Sequence, residues 1–121
     1  MSSIKDSKLA QIGHQEVDWA ARQMKVLEDI KTEFSQNKPL EGLNIGACMH
    51  VTKETANLML TLKSAGANVA LCASNPLSTK DSVAAYLAEN DIEVHAIHGV
   101  SNDEFFQHLN SVLDTKPDIT M

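Results

Sequence analysis

Aromatic residues make up only 4% of this chain, and no cluster of lysine or arginine offsets its formal net charge of -6. Without stacking side chains or a cationic stripe, the composition argues against a large nonspecific affinity for nucleic acid. No apolar run approaches the roughly 20 residues of a membrane span, and the N-terminus has no signal-peptide core. The cytoplasm is therefore the expected compartment. Cysteine is scarce too: Cys48 and Cys72 are the only two, with no CxxC pair and no close Cys/His spacing. That pattern fits neither a disulfide framework nor a zinc site. Both thiols fall in predicted strands and read as buried structural groups. GxGxxG, GxxxxGK[ST] and GxSxG are all missing, and Gly42 and Gly46 do not reproduce a dinucleotide turn. No NAD or phosphate cradle is read from these residues.

What is present is an ordinary globular composition over 121 residues, enough for one core and too little for two. The segment Leu9 to Phe34 reads as one long helix within residues 7–37, its amphipathic pattern running through Leu9, Ile12, Trp19/Ala20, Leu27, Ile30 and Phe34. Ser7 is its predicted N-cap, and Asn37-Lys38-Pro39 its stop. From Leu43 the chain alternates. Strand 43–49 leads to helix 52–65, which stops at Gly66. Strand 68–73 is followed by a loop, and Ser78 or Thr79 caps a helix running to Glu89. Strand 92–97 precedes a helix capped by Ser101, with Glu104 three residues on as a capping box. After Pro117, Asp118 begins a fourth strand. The expected fold is α/β, a Rossmann-like parallel sheet with alternating helices and right-handed crossovers. The long N-terminal helix precedes it. The chain stops inside the predicted fourth strand, so residues 1–121 are expected to form a single but partial domain, with the β/α core at 43–121.

In open α/β sheets, ligands sit outside the carboxyl ends of the strands. The first strand end offers His50, Thr52, Glu54 and Thr55. The second offers Asn75, Ser78, Thr79 and Asp81, and the third His98 with Gly99. Each has two readings. His50 suits proton transfer near neutral pH, or is a satisfied histidine at a helix start. Thr52 is explained by N-capping and Glu54 by the helix dipole, yet Glu54 would also accept hydrogen bonds from an amine or hydroxyl. Asn75 and Pro76 are turn residues or, with Ser78 and Thr79, neutral ligand groups. His14, His95 and His108 read as surface or locally hydrogen-bonded residues, and Phe105-Phe106 as core packing.

Taken together, three segments are more specific than their parts: Lys38-Pro39-Leu40-Glu41-Gly42, then Gly46-Ala47-Cys48-Met49-His50-Val51-Thr52-Lys53-Glu54-Thr55-Ala56, then Ser74-Asn75-Pro76-Leu77-Ser78-Thr79-Lys80-Asp81. Their order and spacing resemble the adenosylhomocysteinases (S-adenosyl-L-homocysteine hydrolases) over almost all of this chain, but only over the first third or so of such an enzyme. The resemblance implies the substrate-binding part of an enzyme that reversibly splits S-adenosylhomocysteine into adenosine and homocysteine. In that family a bound NAD oxidises the ribose 3′ hydroxyl, which acidifies the 4′ proton before homocysteine leaves and water adds. By position, His50 matches the histidine near the 5′ carbon. Thr52, Glu54 and Thr55 fall in the adenosine-contacting motif, with Glu54 placed to accept from the adenine amino group. Asn75, Ser78 and Thr79 match the motif near the homocysteine end. The resemblance further implies a homo-oligomer, typically a tetramer, and an NAD site outside these residues, so the chain alone is expected to be inactive. Three departures stand out: Lys80 where glutamine is common, Met24-Lys25 where Met-Pro is common, and Ile97 near a common tryptophan. Lys80 is expected to add a charge beside the cleft. A free-standing nucleoside-binding or regulatory module is the alternative.

Overall fold

The computed structural model describes all residues, 1–121. Strands β1 (Asn44–Cys48), β2 (Asn68–Cys72), β3 (Glu93–His95) and β4 (Ile119–Thr120) form one parallel sheet in the order β3-β2-β1-β4. Helices α1 (Ala10–Ala21) and α2 (Lys25–Asn37) precede it, and α3 (Lys53–Ser64), α4 (Asp81–Glu89) and α5 (Asn102–Leu113) are the crossovers. The expected α/β architecture is present. β3 is shorter than its apolar run suggested, because only Glu93–His95 pair with β2. On the far side of β3, Ser3 adds a parallel bridge to His95, with Ser3 N–H donating to the Val94 carbonyl at 2.8 Å.

The two faces of the sheet are unequal. Ile45, Ala47, Val69, Leu71 and Val94 point to the side where α1, α3 and α4 supply Val17, Ala56, Met59, Val83 and Leu87, making one cluster of 16 buried residues. The opposite face carries Ala70 and Cys72 against Val112 of α5. Helix boundaries follow local chemistry. Thr52 caps α3 by accepting from the Thr55 N–H, and Ser101 caps α5 by accepting from the Glu104 N–H. Gly66 follows α3 with φ of +99°, the left-handed conformation that favours glycine at a helix end.

The N-terminal helix is where sequence and structure part. Instead of one helix, the segment breaks at residues 22–24, where Gln23 N–H donates to the Ala20 carbonyl and Met24 N–H to that of Ala21. The buried stripe is also different: Ala10, Gly13, Val17 and Ala20 face inward, while Ile12 and Trp19 are exposed. Small side chains win because α1 crosses α4 closely. A Cβ on Gly13 would lie 2.0 Å from the Ser82 carbonyl oxygen. A straight continuation of α1 would leave this contact for solvent, whereas the turn lays α2 along α3. Even so, no residue of α2 is fully buried. The N-terminal cap is Asp6, whose carboxylate accepts from the Lys8 N–H, and Ser7 opens a short 3-10 turn instead.

Smaller expectations change for similar reasons. Cys72 is buried but Cys48 is exposed, because β1 ends there. Phe106 is exposed and meets Phe105 edge-on, with ring centres 5.5 Å apart, so the pair is not core. His95 and His108 are both buried. His95 is locally hydrogen-bonded, to Ser3 Oγ and Glu93 Oε1, and burial pushes the His108 pKa below its ordinary value.

Candidate functional site

The carboxyl ends of β1 and β2 are tied together beyond the sheet. Val51 forms a parallel bridge with Thr79: its N–H donates to the Ser78 carbonyl at 2.8 Å, and Lys80 N–H donates back to the Val51 carbonyl at 2.9 Å. Val51 is completely buried. Its chain neighbour His50 is exposed at the strand end. The third strand end joins through Gly99, whose N–H donates to the Pro76 carbonyl at 2.8 Å, and through His98, whose N–H donates to Asp81 Oδ1 at 2.9 Å.

After Val51 the first turn of α3 begins. Thr52 Oγ1 accepts from the Thr55 N–H at 3.3 Å and lies 3.4 Å from Thr55 Oγ1. Thr52 Oγ1 is thus engaged in capping, with one acceptor lone pair left over. Glu54 is different: its carboxylate is 56% exposed and its one ionic contact is Lys53, 3.9 Å away. The helix dipole is a gain for Glu54 but leaves its oxygens free to accept.

A groove of about 680 Å³ opens between the start of α2 and the start of α3. Met24, Val26, Leu27, Ile30, Met49 and Leu58 supply its apolar walls, and Gln23, Lys25, Glu54 and Thr55 its polar lining, with the Lys25 ammonium 3.7 Å from Glu28. Most drug-sized ligand pockets have this composition, apolar walls with a few placed polar groups. The α2 residues of this wall escaped the sequence reading because their apolar periodicity was taken as part of a single long amphipathic helix. The break at 22–24, unrecognised there, is what frees them. Met24-Lys25, marked as a departure, is the signal that stood closest to it.

The second motif is arranged otherwise. Asn75 Oδ1 accepts from the Leu77 N–H at 2.9 Å, and Ser78 Oγ accepts from the Asn75 N–H at 3.1 Å. Ser78 Oγ also pairs with Ser74 Oγ at 3.2 Å. These side chains hold their own turn. Neither Ser78 nor Thr79 caps α4, whose N-cap position is Lys80 with no side-chain cap. Thr79 is buried, and its Oγ1 is the one buried side-chain oxygen without a partner. Thr79 lines a separate hollow of about 440 Å³ with Leu9, Ile12, Glu16, Lys80 and His98, among others.

Lys80 lines that same hollow. Its ammonium turns to α1, 3.8 Å from Glu16 Oε2, while Glu16 Oε1 accepts from Ser82 Oγ at 2.5 Å. The added charge is paired on the α1 side. Of the seven candidates, Glu54 and Thr55 line one groove, Thr79 lines another hollow, and His50, Thr52, Asn75 and Ser78 line neither. Two thiols, Cys48 and Cys72, stand in register on β1 and β2. Burial pushes the Cys72 thiol up to about 12, reinforced by its neighbour Cys48. No group of three or more His, Cys, Asp or Glu side chains is placed to hold a metal ion.

Comparison with known proteins agrees with the motifs. The S-adenosyl-L-homocysteine hydrolase family profile matches residues 1–121. An adenosylhomocysteinase from Aquifex aeolicus is 49% identical over 119 residues, 98% of this chain and 28% of its own length. One from Pyrococcus abyssi is 46% identical over 96% of this chain and 28% of its own length. A protein from Methanococcus maripaludis named S-inosyl-L-homocysteine hydrolase is 47% identical over 98% of this chain and 29% of its own length. The chain thus spans somewhat over a quarter of the length of these relatives. It belongs to the S-adenosyl-L-homocysteine hydrolase family.

Proposed function

We propose that this member of the S-adenosyl-L-homocysteine hydrolase family forms one wall of a nucleoside-thioether site and serves the reversible hydrolysis of S-adenosylhomocysteine to adenosine and homocysteine. The observation that carries the reading is the groove between α2 and α3, where apolar walls meet one open carboxylate, Glu54. A purine is flat and apolar on its faces and polar at its edge, so it suits such a groove. An adenine amino group would donate to Glu54, with Thr55 beside it and Thr52 fixing the turn that presents both.

In this reading His50 is the catalytic residue of the chain. Water adding at the 5′ carbon gives up a proton and the departing thiol takes one up. An exposed imidazole at the end of β1 can carry that proton in either direction. Asn75, Ser78 and Thr79 form the side of the cleft toward the homocysteine end. Asn75 and Ser78 act there through the turn they hold, and Thr79 is the one with an unsatisfied hydroxyl.

The family's NAD does not fit these residues. The turn after β1 carries Met49, His50, Val51 and Thr52, with side chains where a dinucleotide turn needs bare backbone. NAD would be held by polypeptide other than these 121 residues, and this chain alone would not turn over. A homotetramer in the cytoplasm completes the proposal. A free-standing nucleoside-binding module remains the second reading, favoured by one fact: every residue that lines the groove belongs to this chain.

The test uses the protein carrying this chain at the full length of its relatives. In His50→Ala, release of homocysteine thiol from S-adenosylhomocysteine should fall by about 10²–10⁴-fold, with adenosine affinity retained. Unchanged thiol release in that variant would remove His50 from the chemistry.

A further inference from the structure

Lys53 is not explained by helix capping. It is the first residue of α3, where the positive end of the helix dipole disfavours a cation. Its ammonium nevertheless stays at that end, 5.2 Å from the centre of the Trp19 ring and 3.9 Å from Glu54 Oε1. Trp19 is 56% exposed, so its ring serves as a surface rest for the ammonium, through cation–π attraction, more than as core. The hollow on that side is bounded by Gln15, Glu16, Trp19 and Lys53. A carboxylate in the groove and an ammonium just outside it therefore stand side by side, acceptor next to donor.

The 1,6 edge of a purine carries the complementary pair. A 6-aminopurine presents an N6–H donor beside the N1 acceptor. A 6-oxopurine presents the O6 acceptor beside an N1–H donor. A lone carboxylate satisfies one atom of either edge and repels the lone pair of the other. The penalty is larger for O6, a carbonyl oxygen with more negative charge than a ring nitrogen. Adding an ammonium satisfies the second atom in both cases, with the two side chains exchanging targets.

We propose that Lys53 and Glu54 read the purine 1,6 edge together, so that the site accepts both 6-amino and 6-oxopurine nucleosides and Lys53 sets the tolerance for the 6-oxo form. This rests on the placement of the base in the α2–α3 groove. Lys53 reaches Glu54 through a flexible stem whose side chain is 37% exposed, so a short rotamer shift brings its ammonium to a base held by Glu54.

Titration of adenosine and inosine into the full-length protein tests this. The native protein should bind the two within about tenfold of each other, and Lys53→Met should shift the ratio toward adenosine by about tenfold or more, the scale of one hydrogen bond to a charged group. Lys53→Arg should hold the ratio near native. A ratio unchanged in Lys53→Met overturns the proposal, as does a native protein that refuses inosine. Glu54→Gln separates the two layers. If it weakens both nucleosides while Lys53→Met leaves the ratio alone, the base is in the groove and only the Lys53 role fails. If Glu54→Gln and Leu58→Ala change neither affinity, the base lies elsewhere and both readings fail.

Discussion

The corners at the ends of β1 and β2 are spelled almost alike, Thr52-Lys53-Glu54 and Thr79-Lys80-Asp81, but they are put to opposite uses. At the first corner the threonine caps its helix, the lysine rests on Trp19, and the acid opens into a groove. At the second the threonine is buried without a partner and the lysine pairs with Glu16. Its acid accepts from the His98 backbone and meets Lys5 at 3.7 Å. The difference lies in the neighbouring helix. α1 presses onto α4 through Gly13, so every charge at the second corner finds a protein partner. α2 stands off from the start of α3, so Glu54 keeps its oxygens for something else. The same local grammar gives a structural joint or a binding site according to what packs beside it.

The largest effect should come from forcing the tight corner open. Gly13→Ala puts a Cβ 2.0 Å from the Ser82 carbonyl and should cost about 2 kcal/mol or more, despite the better helix propensity of alanine. Met24→Ala, at the N-cap position of the loosely held α2, should cost less than about 1 kcal/mol. Urea denaturation of the two variants measures the contrast, and equal losses would erase the distinction between the corners.

Much of this was legible in the sequence. The alternation from Leu43 onward, the Thr52 and Ser101 caps and the stop at Gly66 depend on local chemistry, and local chemistry is what a sequence displays. The candidate residues were found because strand ends in parallel sheets are where ligands sit. What stayed hidden depends on distance between helices. The stripe Ala10, Gly13, Val17 and Ala20 is chosen by closeness to α4, so it loses on hydrophobicity to Ile12 and Trp19, which are exposed. The break before Lys25, and with it the groove wall of Val26, Leu27 and Ile30, follows from that same contact. The partner of Lys80, Glu16, lies 64 residues away in sequence and was likewise out of view.

The two cysteines sharpen the comparison at an intermediate scale, since Cys48 and Cys72 are register partners, one at each corner. Cys48 is exposed, while Cys72 is buried with its thiol pushed from 9.0 up to about 12. The thiolate is the reactive form, so iodoacetamide at pH 8 should label Cys48 alone in the folded protein and both after unfolding. The folded pKa of Cys72 is raised above the unfolded value. Its contribution to stability is therefore complete below pH 9.0 and should be lost as pH climbs toward about 12. Labelling of Cys72 at the rate of Cys48 would contradict the buried placement.

The smallest effect belongs to Lys80. Its side chain is 62% exposed, so the pair with Glu16 is solvent-screened. Lys80→Gln should change stability by less than about 0.5 kcal/mol and leave adenosine affinity unaltered, because its charge faces α1. A clear change in affinity would return Lys80 to the cleft.

The central claim is that the first corner, not the second, receives the base. Adenosine titrated into the isotope-labelled chain, followed by amide NMR shifts, tests it most directly, because weak binding by a single wall is still visible there. The account predicts shifts concentrated at Leu27, Ile30, Met49, Glu54, Thr55 and Leu58, and lost in Glu54→Ala. Shifts centred instead on Asn75 to Asp81, or none at millimolar adenosine, would contradict it.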